Sequence, residues 1–278
     1  MSGPGRRSPG AGPAALVLVA ATLAGCVGSA PAPNPAATPA VAPVEVTLLA
    51  AASLSDVAAD LATAYETGRP GVSIRLSIGS TSELRAQIEA GAPADLLAAA
   101  DVATPAALVA AGLAADEPVV FAANELALIV PAANPAGVTD AYDLGRPGLR
   151  IVAAAPEVPI SRYVDRLIAN LQAYRGAQAE LPRIYAENVV SREPNVRAVL
   201  ARIELGEADA AFVYATDAAG DRDVAVIPLP PGTNVTVEHA AVRLASSANP
   251  AAADDILAWL AGPEAAAILA ARGFLPPP

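Results

Sequence analysis

The sequence predicts an α/β fold built on mostly parallel sheets, and three features carry that reading. Short apolar runs alternate with stretches whose apolar residues recur at helical spacing, from Val44 to the end of the 278-residue chain. Small hydroxyl residues cluster where an apolar run gives way to a helical stretch, the places where helices need capping. The 235 residues from Val44 onward are enough for one large or two ordinary domains with well-buried interiors.

Val44 to Ala51 reads as a strand, after which Leu54, Val57, Leu61 and Ala64 repeat at helical spacing. Val72 to Ile78 alternates Val72, Ile74, Leu76 and Ile78 as a second strand, and Gly79-Ser80 opens a helix bearing Leu84 and Ile88. Asp95 to Ala100 is a short buried strand. After Asn124 a second block begins, with strands at Leu126 to Val130, Leu149 to Ala153 and Ala210 to Tyr214. Its helices lie near 161 to 174, with the stripe Val164, Leu167, Ile168 and Leu171, and near 195 to 205, with Val196, Val199, Leu200 and Ile203. Helices at Asp254 to Leu260 and Glu264 to Arg272 close the chain, the last ended by Gly273. No internal repeat of fixed period is present.

Before Val44 the chain is of another kind. Arg6 and Arg7 precede an apolar run from Ala14 to Ala24, too short for a permanent membrane helix, which marks residues 1–25 as a signal peptide. Leu23-Ala24-Gly25-Cys26 resembles the cleavage box of bacterial lipoproteins, making Cys26 the expected lipidated first residue. A multiply acylated cysteine anchors firmly where a single chain does not. Residues 26–43, with Pro31, Pro33, Pro35, Pro39 and Pro43 among small residues, read as anchor and semi-rigid tether. Cys26 is the only cysteine, so no disulfide can form within the chain. The 17 basic residues are all arginine and the net charge is −11; cleavage removes only Arg6 and Arg7 and takes it to −13. So acidic a protein repels nucleic acid and anionic lipid, and an anionic ligand would have to be held by local dipoles against the global field.

Residues able to carry catalysis are scarce. There is one histidine, His239, in an apolar strand-like stretch where it reads as structural, and no Gly-x-Ser-x-Gly, Cys-x-x-Cys or phosphate-cradling glycine loop. What stands out is Ser53-Leu54-Ser55-Asp56 and Gly79-Ser80-Thr81-Ser82-Glu83, each at a strand-to-helix junction. Helix N-termini bind anions through unpaired N–H groups and a partial positive charge, so two facing each other would clamp an oxyanion. Plain capping explains the same residues, since Ser53 with Asp56 and Ser80 with Glu83 both match a capping box.

Ala50-Ala51-Ala52-Ser53-Leu54, Gly79-Ser80-Thr81-Ser82 and, above all, the segment from Gln87 to Leu96 (Gln-Ile-Glu-Ala-Gly-Ala-Pro-Ala-Asp-Leu) resemble the periplasmic or extracellular molybdate-binding proteins of ABC importers, of the type II periplasmic-binding-protein class. The resemblance runs from 44 to 275 through Pro159-Ile160-Ser161-Arg162-Tyr163, Asn195-Val196-Arg197 and Phe212-Val213-Tyr214-Ala215-Thr216-Asp217. It implies two α/β lobes with a ligand cleft between them and crossover strands as hinge, lobe I being 44–124 plus 239–278 and lobe II 125–238.

For the site, the resemblance implies hydroxyl donors from Ser53 and Thr81, main-chain N–H donors at Ile160 and Val196, and the phenol of Tyr214. Three positions depart from the family pattern: Thr81 stands where serine is usual, which leaves Ser80 as the other possible donor, Ile160 replaces a small residue, and Ser161 a frequent glycine. The implied function is capture of molybdate or tungstate, with no cofactor, no metal beyond the molybdenum of the ligand and no catalytic step, by a monomer that serves a permease and ATPase complex from the outer face of the membrane. Sulfate, phosphate, phosphonate or iron-complex carriage on the same fold, a secreted hydrolase using Ser53 or Ser80 with His239 as base, and a purely structural lipoprotein are the alternatives.

Overall fold

The computed structural model describes residues 44–176 and 180–278; the expected signal peptide, the Cys26 anchor and the 26–43 tether lie outside the described residues. Two five-stranded sheets organise the chain. The first is built from β1 (Val44–Ala51), β2 (Val72–Gly79), β3 (Leu96–Ala99), β4 (Ala114–Asn124) and β10 (Val237–Leu244). Around it pack α1 (Ser55–Gly68), α2 (Thr81–Glu89), α3 (Ala103–Ala110), α8 (Pro250–Leu260) and α9 (Pro263–Ala271). The second comprises β5 (Leu126–Pro131), β6 (Ile151–Ala154), β7 (Val189–Glu193), β8 (Ala210–Tyr214) and β9 (Val224–Ile227), with α4 (Pro159–Arg175), α5 (Leu181–Asn188), α6 (Val196–Glu204) and the short α7 (Ala215–Ala218).

Strand order is β2-β1-β3-β10-β4 in the first sheet and β7-β6-β8-β5-β9 in the second. Each has a parallel half, β2-β1-β3 and β7-β6-β8, and an antiparallel half made by the strands adjoining the crossovers. The sheets are therefore mixed where mostly parallel sheets were expected, because a chain that leaves a sheet and returns to it must run back along its own edge. The chain leaves the first sheet after Asn124, enters the second at Leu126, and rejoins the first at Val237. Asn234 ties the two crossovers together, accepting from the Leu126 N–H at 3.2 Å and donating to the Leu126 carbonyl at 2.9 Å. Leu275 bridges back to Ala123 through two 2.8 Å backbone bonds, so the C-terminus closes the first lobe.

Burial follows the two-residue period of the strands. Leu48, Ala50, Leu96 and Ala98 face the core that contains Leu61 and Tyr65 of α1, while Leu49, Leu97 and Ala99 face Leu84 and Ile88 of α2 and Leu108 of α3. A central sheet covered on both faces explains why these strands read as continuous apolar runs. The segment from Gln87 to Leu96 proves to be a structural device. Gly91, at φ +82°, ends α2 in the left-handed conformation a side chain resists. Asp95 then accepts from the Thr47 N–H (2.8 Å), the Ser247 hydroxyl (2.6 Å) and the Asn249 N–H (3.2 Å), pinning β1 to the turn before α8. Burial opposes its charge, but these bonds outweigh it and hold the carboxyl below the usual range. No helix among the described residues is long and apolar enough to cross a membrane.

Candidate ligand-binding site

The parallel halves of both sheets aim their carboxyl ends at one place, where open α/β sheets bind ligands. There a small cavity is lined by Ala51, Ala52, Ser53, Ser80, Thr81 and Ala100 of the first lobe and by Val158, Pro159, Asn195, Val196 and Tyr214 of the second. All but Ala100, which follows β3, sit at or just before the starts of helices α1, α2, α4, α6 and α7, so helix N-termini from both lobes converge on the cavity.

Ser53, in a single 3-10 turn between β1 and α1, is buried, and its Oγ lies 3.2 Å from Nε2 of His239. Thr81, the first residue of α2, accepts the Ala100 N–H at 3.1 Å through its hydroxyl oxygen and lines the cavity. Ser80 is the N-cap of α2. Its N–H donates to Glu83 Oε2 at 3.0 Å in a capping box and its Oγ pairs with Ser82 Oγ at 2.7 Å, so its groups are engaged in holding the helix start.

In the second lobe, Val196 lines the cavity at the first position of α6, where Asn195 caps the helix by accepting the Ala198 N–H at 2.9 Å. Its N–H stands in the first turn, where no intrahelical carbonyl is available to it. Ile160 stands in the first turn of α4, and there too no preceding turn supplies a carbonyl to its N–H. Its side chain lines a separate small pocket of the second lobe, with Val164, Tyr185 and Phe212. The cavity proper is bounded on that side by Val158 and Pro159. Tyr214, at the end of β8, is 2% exposed, and burial raises its phenol well above the ordinary value, keeping it a protonated donor.

Charged side chains flank the cavity in pairs that join the lobes. Arg162 of α4 bonds to Asp101, which follows β3 and also accepts the Thr104 N–H at 2.7 Å. Arg197 of α6 bonds to Asp56 of α1 and lies 3.2 Å from Asp217 of its own lobe. Burial pushes the Asp217 carboxyl up to about 7, with Arg197 and the Tyr214 N–H pulling the other way. These pairs were not legible in the sequence, since Arg162 and Asp101 stand 61 positions apart and Arg197 and Asp56 141. Both arginines face carboxylates, which leaves the cavity itself to neutral donors.

His239 is fully buried and shows no hydrogen-bond partner at Nδ1 among the described residues. Burial pushes its pKa down to about 3. A serine–histidine pair of this kind has a weakly basic imidazole and no acid to orient it, unlike a hydrolytic triad. No group of three or more His, Cys, Asp or Glu among the described residues is placed to hold a metal ion.

Comparison with known proteins gives the same direction. The chain is 31% identical over 261 residues to the molybdate-binding protein ModA of Mycobacterium tuberculosis, covering 94% of this chain and 95% of that one. Among solved structures, it superposes on the periplasmic molybdate-binding protein of Azotobacter vinelandii with a TM-score of 0.68, at 24% identity over 84% of this chain and 100% of that one. The sulfate-binding protein SubI of Mycobacterium tuberculosis follows the same fold, with a TM-score of 0.72 at 23% identity over 84% and 87% of the two chains. The family model for bacterial extracellular solute-binding proteins matches residues 46–275. With that match spanning both sheets and the cleft between them, the chain belongs to the bacterial extracellular solute-binding proteins, a family of carriers and not a class of enzymes.

Proposed function

We propose that the chain captures molybdate or tungstate in the inter-lobe cavity and delivers it to the permease and ATPase of an ABC importer. The observation that carries this reading is the convergence of neutral donors from both lobes on one small cavity in an acidic protein. In it, Ser53, Thr81 and Tyr214 donate O–H groups, and Ile160 and Val196 donate main-chain N–H groups. A tetrahedral dianion suits such a set, because each oxygen meets donors and the helix dipoles offset the charge without a fixed cation. Contacts to both lobes make the ligand a link that favours closure, and neutral donors let it go when the lobes part. The similarity to the Mycobacterium tuberculosis molybdate-binding protein supports the choice of anion. Cys26 would hold the monomeric carrier at the outer face of the membrane through its lipid, with residues 27–43 as tether.

Calorimetric titration with molybdate, tungstate, sulfate and phosphate tests the proposal. It predicts one-to-one binding of the first two and no heat from sulfate. Binding of sulfate or phosphate in their place would move the substrate while keeping the cleft, and silence from all four would end the reading. Mass spectrometry of protein extracted from membranes tests the anchor: an acylated Cys26 at the N-terminus is expected, and an unmodified cysteine would contradict it.

A further inference from the structure

His239 is the only histidine of the chain, and it sits against a residue of the proposed cleft. It lies on β10, the strand by which the chain rejoins the first sheet, opposite Ala122 of β4. The pairing slips by one residue beside it, so Phe121 is an extra residue of β4, and such bulges re-aim side chains. The rings of Phe121, Tyr214 and Phe274 surround the imidazole with centroids 6.4, 5.7 and 5.5 Å away, all edge-on or nearly so. Within that aromatic box the single polar contact is Nε2 to Ser53 Oγ, and Nδ1 meets no partner among the described residues.

A neutral imidazole carries one N–H and one lone pair, so the ring has two ways to face Ser53. If Nδ1 holds the proton, an N–H is stranded in the aromatic box and Ser53 must donate its only proton to Nε2, presenting lone pairs to the cleft. If Nε2 holds it, the stranded group is a lone pair and Ser53 accepts, leaving its own proton for the cleft. Protein interiors leave buried N–H groups unpaired more rarely than acceptors, and an oxyanion in the cleft needs a donor at Ser53. Burial, which keeps the ring neutral, is what makes this choice binary.

We propose that His239 is a positioning residue of the cleft: its Nε2–H donates to Ser53 Oγ and thereby commits the Ser53 hydroxyl proton to the bound oxyanion. This rests on the oxyanion reading given above. Thr81 is committed in the same way by the Ala100 N–H, so the Ser53 and Thr81 hydroxyls are both fixed as donors before the anion arrives.

The single histidine makes the test direct. Imidazole nitrogen NMR of the untagged full chain, labelled with ¹⁵N-histidine, reads the tautomer with and without molybdate. The expected spectrum has Nε2 protonated and Nδ1 bare in both states; a protonated Nδ1 in the molybdate complex overturns the proposal. In parallel, His239→Leu is expected to weaken molybdate binding about three- to tenfold, the worth of one buried hydrogen bond, and His239→Gln, which keeps a donor, to recover most of it. In a Ser53→Ala background His239→Leu should cost nothing further, whereas an undiminished loss there would show that the histidine acts on packing alone. If wild-type protein binds no molybdate, the oxyanion reading fails by itself; the spectrum of the free protein then still decides whether Nε2 or Nδ1 carries the proton.

Discussion

Ser53 and Thr81 share an arrangement: each hydroxyl oxygen meets a neighbour on its inner side, His239 Nε2 and the Ala100 N–H, while both residues line the cavity. Hydrogen bonds to a charged ligand are worth about 1.5–3 kcal/mol, so Ser53→Ala and Tyr214→Phe should each weaken molybdate binding by roughly ten- to a hundredfold, with melting temperatures near that of the parent. Titration and thermal unfolding of the pair of variants check this, and unchanged affinity in both would displace the site. Asp217 gives a second prediction. Its folded pKa of about 7 lies above the ordinary carboxylate value, so the folded state binds the extra proton and stability falls as pH rises from about 4 to about 7. Asp217→Asn removes that titration, and its melting temperature should gain on the parent's across this window; parallel curves would contradict the assignment. The hydroxyls at the strand-to-helix turns could be read from the sequence because capping and anion binding need the same residue types. The Ser53–His239 contact could not, since 186 positions separate the two and an apolar neighbourhood identifies a buried histidine without naming its partner.

Helices α4 and α6 do two things at once, presenting their N-termini to the cavity and sending Arg162 and Arg197 across to carboxylates of the first lobe. These bridges join the two lobes, so they hold them together independently of the ligand. Arg162→Ala should speed molybdate release about tenfold in stopped-flow exchange while changing association much less, and an unchanged release rate would mean that the bridge carries no closing energy. The elements with strong patterns were legible: β8 lies where the sequence predicts a strand, and α4 and α6 lie within about two residues of the predicted helices. β4 was not, because Asp116, Glu117 and Pro118 interrupt its pattern and Asp116 takes φ +61° beside a register shift. α5 and β7 escaped for a related reason. Their apolar residues are few, and Val190 is exposed on a strand that pairs on one side only.

Across the described residues, 28 acidic side chains stand against 15 basic ones, Arg6 and Arg7 lying outside them, in a molecule whose cavity is proposed to hold an anion. Ligand and carrier repel at long range and attract only within the cleft, where helix dipoles act over short distances. Salt screens the first and spares much of the second, so the association rate for molybdate should rise with ionic strength, and a rate that falls would show that the cleft's own field reaches into solvent. The acidic balance and the two-block organisation were plain in the sequence, whereas the closeness of the two lobes depends on contacts between residues far apart in the chain. The most direct test of the central claim is a crystal structure of the molybdate complex with anomalous data collected at the molybdenum edge. The account predicts one strong peak in the cavity, within hydrogen-bonding reach of Ser53, Thr81 and Tyr214 and of the main-chain N–H groups of Ile160 and Val196. A peak elsewhere on the molecule, or none at saturating molybdate, would contradict it.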